Sequence, residues 1–342
     1  MLMTLFQSAK TCSYRTHPKT IELRSRVSSV CPQNVLVETY PCTECELYSQ
    51  MSIFRGCPHR WKLQYKDKIK RFTSSIHTVF GSAVHEAIQH YLDVAYEKSF
   101  AAADRDINME EYFQEAYIGE YQKQYKSNKS EHFSDAAEMR EFFDDGVAIL
   151  EWFKKKRSRY FSKKGTYLVG CEIPIVVAPN KMLNNVLYMG YLDVVTYHEA
   201  TETFKIIDIK TSTSGWNDYA KKDENKQFQL LLYKQYFSEQ YGIPLDKIEI
   251  EFFILKRKVL DPDDEKLMSP YQAYRVQQFT PPSGKIKLSR AKNAINGFIN
   301  ECFNSSGKIK EADYHKSPSK WNCNFCPYSK DKELCGAGEH FS

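Results

Sequence analysis

The feature that most constrains the fold is a change of hydrophobic period part-way along the chain. Up to about residue 161 the apolar positions recur at helical spacing, as in Ala83, Ala87, Ile88, Tyr91 and Leu92. Beyond it, Tyr167–Val177, Val186–Tyr197 and Phe204–Lys210 read as strands, the last two joined by the short polar segment His198–Thr203 as a hairpin. Ahead of the change, helices are predicted over Tyr48–Tyr65, Val79–Lys98, Asn108–Tyr125 and Ser134–Phe161, the last capped by Asp135 with Glu138 three residues on. After it come a helix over Asp223–Tyr241, ended by Gly242 and Pro244, strands over Lys247–Lys256 and Tyr271–Phe279 around the acidic loop Asp261–Glu265, and a helix over Leu288–Phe303. The order predicts an α/β fold: a mixed sheet flanked by helices, with a helical front end.

At 342 residues the chain can bury a core without disulfides, and 42% hydrophobic content excludes wholesale disorder. Apolar runs such as Val186–Leu192 fall far short of the roughly 20 residues that span a bilayer, so no membrane partner is expected. The net charge of +5 is compatible with nucleic acid and does not demand it. Residues 1–47 are basic and serine-rich with Glu22 the lone acid up to Val27, which suits either an organelle transit peptide or an appended leader. The expected location is cytoplasmic, with an organelle as the alternative if residues 1–47 are a transit peptide.

The third strand carries the chemistry. Side chains alternate along a strand, so Asp208 and Lys210 share one face while Ile207 and Ile209 face a core. A carboxylate can hold a hard cation, and a lysine beside it can orient or deprotonate water. Asp193, in Gly190-Tyr191-Leu192-Asp193 on the partner strand, can reach the same ion, and two carboxylates suit Mg²⁺ or Mn²⁺ with room for phosphate and water. The plainer reading of D-x-K alone is an ion pair at a strand end. Upstream, Gly81 permits close backbone approach and His85 is a candidate third ligand. Downstream, Gln229 and Tyr233 share a helix face suited to a phosphate or base. Glu172 is a weaker supporting candidate.

Taken in order, G-x-x-x-H, G-x-x-D, I-I-D-I-K-T and Q-x-x-x-Y resemble the RecB-type branch of the PD-(D/E)XK nucleases, over about Ser49 to Gly336. The resemblance implies a restriction-endonuclease-like core in which His85, Asp193, Asp208 and the Ile209 carbonyl hold Mg²⁺ or Mn²⁺. Lys210 would activate water, and Gln229 and Tyr233 would line the DNA path. It implies a metal-dependent deoxyribonuclease, an exonuclease on single strands or duplex ends. The rival class is a non-catalytic DNA-binding subunit of a DNA-processing complex. No G-x-x-x-x-G-K-[ST] phosphate loop occurs, so either unwinding would come from a helicase or recombination partner or the substrate would already be single-stranded.

Ten cysteines in a lysine-rich chain without a secretory signal are not expected as disulfides. Cys323 and Cys326 form C-x-x-C, and Cys335 follows after eight residues. Iron–sulfur members of the same branch, including the AddB-type and CRISPR-adaptation nucleases, pair one Cys-Pro near the first helix with three distal cysteines. By that resemblance Cys57, before Pro58, completes a 4Fe-4S set. The last gap is longer than the commonest pattern. Zinc on the same four thiols, or Cys42 and Cys45 pairing with Cys323 and Cys326 around zinc, remain open. Cys12, Cys31, Cys171 and Cys302 read as ordinary thiols. Two basic clusters stand out as candidates for a phosphate backbone: residues 154–164, with seven cations in eleven positions, and the group Arg60, Lys62, Lys66, Lys68, Lys70 and Arg71. The organisation expected is one nuclease domain over 48–336 joined by the cysteine cluster, a leader over 1–47 and a tail over 337–342.

Overall fold

A computed structural model describes residues 47–339 apart from 70, 72, 73, 163, 184, 262 and 266–268, together with Glu22 and Ser25. The readings made for the leader, for Cys12, Cys31, Cys42 and Cys45, and for Lys70 lie outside the described residues.

The front of the chain is helical: α1 (Leu47–Gly56), α2 (Pro58–Trp61), a π-helical turn (Lys62–Lys66), α3 (Ile76–Glu97), α4 (Phe100–Asp106), α5 (Met109–Ser127) and α6 (Ala136–Lys156). Then follow β1 (Thr166–Val177), β2 (Tyr188–His198), β3 (Thr203–Ser212), α7 (Asp218–Lys222), α8 (Glu224–Tyr241), β4 (Ile248–Lys256), β5 (Val276–Phe279), α9 (Lys285–Cys302) and α10 (Lys320–Asn324). The five strands form one sheet in sequence order, antiparallel except for the parallel pair β3–β4. The parallel pair needs a crossover, which α7 and α8 supply. The predicted α/β architecture is therefore present, with β3 at the centre of the sheet.

Both faces of the sheet are covered. Ile206 and Phe204 of β3 pack into a layer with Phe54, Phe228, Leu231 and Phe298. Ile207 and Ile209 pack into the other with Val84, Ile88, Phe153 and Phe161. Nearly continuous apolar strands follow from this two-sided cover.

Three local expectations are corrected. The helix over Tyr48–Tyr65 breaks at Cys57, whose backbone is extended and followed by Pro58 at the first position of α2. Proline lacks the N–H that would continue α1 and disfavours a helical residue before it. The strand over Tyr271–Phe279 shrinks to Val276–Phe279, because a capping box between Ser269 and Gln272 closes a 3₁₀ turn at Pro270–Gln272. The basic run at 154–164 is partly structural: Lys154 donates to the Asp104 carbonyl and Arg157 pairs with the Asp104 carboxylate beneath the rings of Tyr91 and Phe100. In the second cluster Lys62, Lys66 and Arg71 are paired with Asp67, Glu311 and Asp331.

Candidate active site

The site forms where two strands part. The β2–β3 ladder runs from His198/Thr203 to Val194/Ile207 and ends there, while β3 continues on β4 as far as Ser212. The first amide freed on β3 is that of Ile209. It donates to the Asp193 carboxylate at 2.7 Å, so a side chain completes what the ladder leaves open. Asp208 and Lys210 share the neighbouring face, their charged groups 2.7 Å apart, with Asp208 almost wholly buried. His85 on α3 closes the group, its Nδ1 3.7 Å from Asp193 Oδ2.

Two glycines let these elements approach. A Cβ on Gly81 would stand 3.2 Å from Thr211 Oγ1, tight contact with the end of β3. A Cβ on Gly190 would stand 2.8 Å from a ring carbon of Tyr233. Tyr233 and Gln229 lie on one face of α8, with Gln229 Nε2 donating to the Tyr233 hydroxyl at 3.4 Å. The sequence therefore placed His85, Asp193, Asp208, Lys210, Gln229 and Tyr233 in one neighbourhood, and the structure brings them together.

Burial dominates the electrostatics. It raises the Asp193 carboxyl to about 7, with Lys210 opposing and Glu172 adding to the rise. It raises Asp208 to about 6, with Lys210 opposing and Asp193 adding. It lowers His85 to about 4, assisted by the charge of Lys210, so the imidazole is neutral at physiological pH. Burial also acts to lower Lys210, but Asp208 and Asp193 outweigh it and the ammonium is held more firmly than usual. Two crowded carboxylates, a neutral imidazole and a backbone carbonyl are a hard oxygen and nitrogen donor set, which suits a divalent ion such as Mg²⁺ or Mn²⁺. As they stand, no three His, Cys, Asp or Glu side chains among the described residues are drawn close enough to hold an ion.

Three further residues belong to the neighbourhood. Gln89, one helical turn after His85, donates to Glu172 Oε1 at 2.5 Å and to the Asp193 carbonyl at 3.0 Å. Glu172 takes a left-handed backbone, φ 52°, inside β1. A non-glycine residue there costs of order 1–3 kcal/mol and survives where its surroundings hold it. Tyr48, at the start of α1, donates to the Asn225 carbonyl at 2.7 Å. Burial raises its hydroxyl, with the charge of Asp208 adding. Glu172 was visible as a weak candidate. Gln89 was missed, although its place four positions after His85 on a mostly apolar helix face was a signal that could have found it. Nothing in the sequence marked Tyr48.

A family model described as the PD-(D/E)XK nuclease superfamily matches residues 48–331. The chain belongs to that nuclease superfamily. No curated protein matches it. A solved structure described as a putative exonuclease from Eubacterium rectale is 11% identical, over 86% of this nuclease and 87% of that chain, with a TM-score of 0.43. That likeness is too distant to carry an argument. Among the described residues, no helix of the nuclease is long and apolar enough to cross a membrane.

The four cysteines of the C-x-x-C reading line one cavity in the nuclease, together with Arg60 and Lys316. Cys57 enters from the α1–α2 break, and its sulfur accepts the Ser317 N–H at 3.5 Å. Burial raises the Cys326 thiol, with Cys335 and Cys57 adding to the rise. The Arg60 Nε is buried there without a hydrogen-bond partner. The tail is fastened to the front of the chain by Asn322 donating to the Gly56 carbonyl at 2.7 Å, the His59 N–H to the His315 carbonyl at 3.1 Å, and the Tyr328 hydroxyl to the Ile69 carbonyl at 2.6 Å.

Proposed function

We propose that the protein is a metal-dependent DNA nuclease of the RecB-type branch, an exonuclease on single strands or duplex ends. The observation that carries the reading is the meeting of Asp208, Lys210, Asp193 and His85 at the point where β2 leaves β3. Asp193, Asp208, His85 and the Ile209 carbonyl would hold Mg²⁺ or Mn²⁺. When bound, that ion supplies positive charge to the phosphate oxygens and the leaving oxygen. Lys210, held as an ammonium by two carboxylates, donates to the attacking water and fixes its direction in line with the phosphodiester. Asp208 keeps the ammonium in place through their 2.7 Å contact. Gln229 and Tyr233 offer an amide and a phenol to the nucleic acid, and Gly190 gives Tyr233 the space to do so.

Cys57, Cys323, Cys326 and Cys335 would hold a 4Fe-4S cluster that joins the tail to α1 and α2, making 48–336 one domain. Four thiols around a cavity, and a lining arginine whose buried Nε has no hydrogen-bond partner, support this reading. The cluster is structural, since its cavity is lined by none of the carboxylates of the active site.

The test is a cleavage assay on end-labelled single-stranded DNA, duplex DNA and RNA with Mg²⁺ or Mn²⁺. Release of nucleotides from DNA ends, abolished by chelator, is the expected result. Intact DNA under every metal condition overturns the reading, and internal fragments replace exonuclease with endonuclease. Absorbance near roughly 400 nm with matching iron and sulfide supports the cluster, and zinc alone on the same thiols overturns it.

A further inference from the structure

The C-terminal tail displays two large rings to solvent. Trp321 is 88% exposed and Phe325 is 80% exposed. They stand four residues apart in the chain, Trp321 within α10 and Phe325 at its C-cap. Two large rings this exposed within five residues of chain are available to a flat ligand. Their setting is cationic. Arg55, Lys316, Lys320 and Lys330 have no carboxylate within ion-pair distance among the described residues; of the tail acids, Asp331 and Glu339 are taken up by Arg71 and Lys332, and Glu333 is exposed. Lys316 is directed at a backbone carbonyl, which leaves its charge uncancelled, whereas Arg55 bonds to the Asn225 amide oxygen and its charge also acts on Glu224.

This surface connects to the active site through α1. Tyr48, at one end of that helix, lies beside the Asp208 neighbourhood and bonds to the Asn225 carbonyl. Arg55, at the other end, bonds to the Asn225 side chain, and Gly56 next to it accepts from Asn322 of α10. The helix advances about 10 Å between Tyr48 and Arg55 at 1.5 Å per residue. The rings lie in the same stretch of chain as the cysteine cavity, Phe325 falling between Cys323 and Cys326, both of which line it.

We propose that Trp321 and Phe325 form a base-stacking platform for single-stranded DNA, with the surrounding cations on its backbone, extending the substrate path beyond the catalytic cleft. The proposal rests on the nuclease reading and names a second contact site for the same substrate. Unpaired bases present a free π-face to such rings, and cations follow the phosphates regardless of sequence. A duplex offers such a face only at its ends.

The test is binding of a fluorescent oligonucleotide to the full chain carrying Asp208→Asn, which keeps the probe intact. Trp321→Ala and Phe325→Ala are expected to weaken single-strand binding about tenfold each, and to change binding of a blunt duplex by less than about twofold. Trp321→Phe keeps a ring and is expected to retain most of the affinity. It is also expected to reduce the fluorescence quenching expected of the parent on single-stranded DNA, three other tryptophans remaining. Melting temperature and metal content of each variant report whether the tail is intact. Unchanged single-strand affinity in the double alanine variant overturns the platform. So does an equal loss on single strands and duplex, or a change of oligomeric state with DNA affinity unaltered, which assigns the rings to a second copy of the chain. A parent that binds no DNA overturns the nuclease reading itself, and the platform with it.

Discussion

Removing one charge from the buried carboxylate pair is expected to stabilise the protein while destroying its proposed activity. Asp208 is held at about 6, against an ordinary 3.8, chiefly by burial. Its folded pKa is raised, so the favourable contribution of its protonated form is complete below about 3.8 and is lost as pH rises through about 6. A shift of that size corresponds to roughly 3 kcal/mol at pH 8. Asp193, raised to about 7, adds in the same direction over a wider window. Asp208→Asn substitutes a neutral group of nearly the same shape and leaves Lys210 with Asp193 as its counter-charge. The expected gain at pH 8 in chelator is about 1–3 kcal/mol, less than the full shift because the Lys210 ion pair is lost as well. At pH 5 the gain shrinks toward zero. A divalent ion restores the parent by RT ln(1 + [L]/Kd), about 2.7 kcal/mol at 100-fold saturation, and leaves the variant unmoved. Thermal denaturation of both proteins at pH 5 and pH 8, with chelator and with Mn²⁺, reads every term. The reasoning is refuted if Asp208→Asn is several degrees less stable than the parent at pH 8, or if Mn²⁺ raises both melting temperatures equally.

Other outcomes follow from single contacts. Gly190→Ala places a methyl group 2.8 Å from the Tyr233 ring; a loss of about 1–3 kcal/mol in urea denaturation is expected, with weaker DNA binding. Gln89→Leu removes the donor shared by Glu172 and the Asp193 carbonyl; destabilisation of about 1–3 kcal/mol is expected, together with weaker Mn²⁺ binding by calorimetry, and unchanged metal affinity removes Gln89 from the site. Cys57→Ser is expected to abolish absorbance near roughly 400 nm and to expose the tail to protease, with the melting temperature falling as the Cys323–Cys335 segment loses its anchor.

What the sequence made legible was what lies close together along the chain or follows from period. The alternation of Ile207, Asp208, Ile209 and Lys210 fixed which side chains share a face, and the hairpin brought Asp193 alongside. Gly81 could be read as a point of close approach, although only the structure shows Thr211 as the group that needs the space and adds Gly190 against Tyr233. The break at Cys57 was readable in Cys57-Pro58 but was overridden by the helical period of the apolar residues on either side. Glu172 was the hardest case. Its left-handed backbone within β1 is held by tertiary contacts with Gln89, and no local propensity announces it. The charge runs misled for a related reason. A cluster of cations in sequence carries no mark of whether a carboxylate such as Asp104 or Glu311, far along the chain, will meet it.

The central claim is that Lys210 and the carboxylates at the end of β3 cut a phosphodiester bond. The most direct measurement is the rate of cleavage of end-labelled DNA by the parent and by Lys210→Ala, with Mg²⁺ or Mn²⁺ and with folding checked by circular dichroism. The account predicts a fall of at least about 100-fold for the variant, with its DNA binding largely retained. A folded Lys210→Ala protein that degrades the DNA as fast as the parent contradicts it.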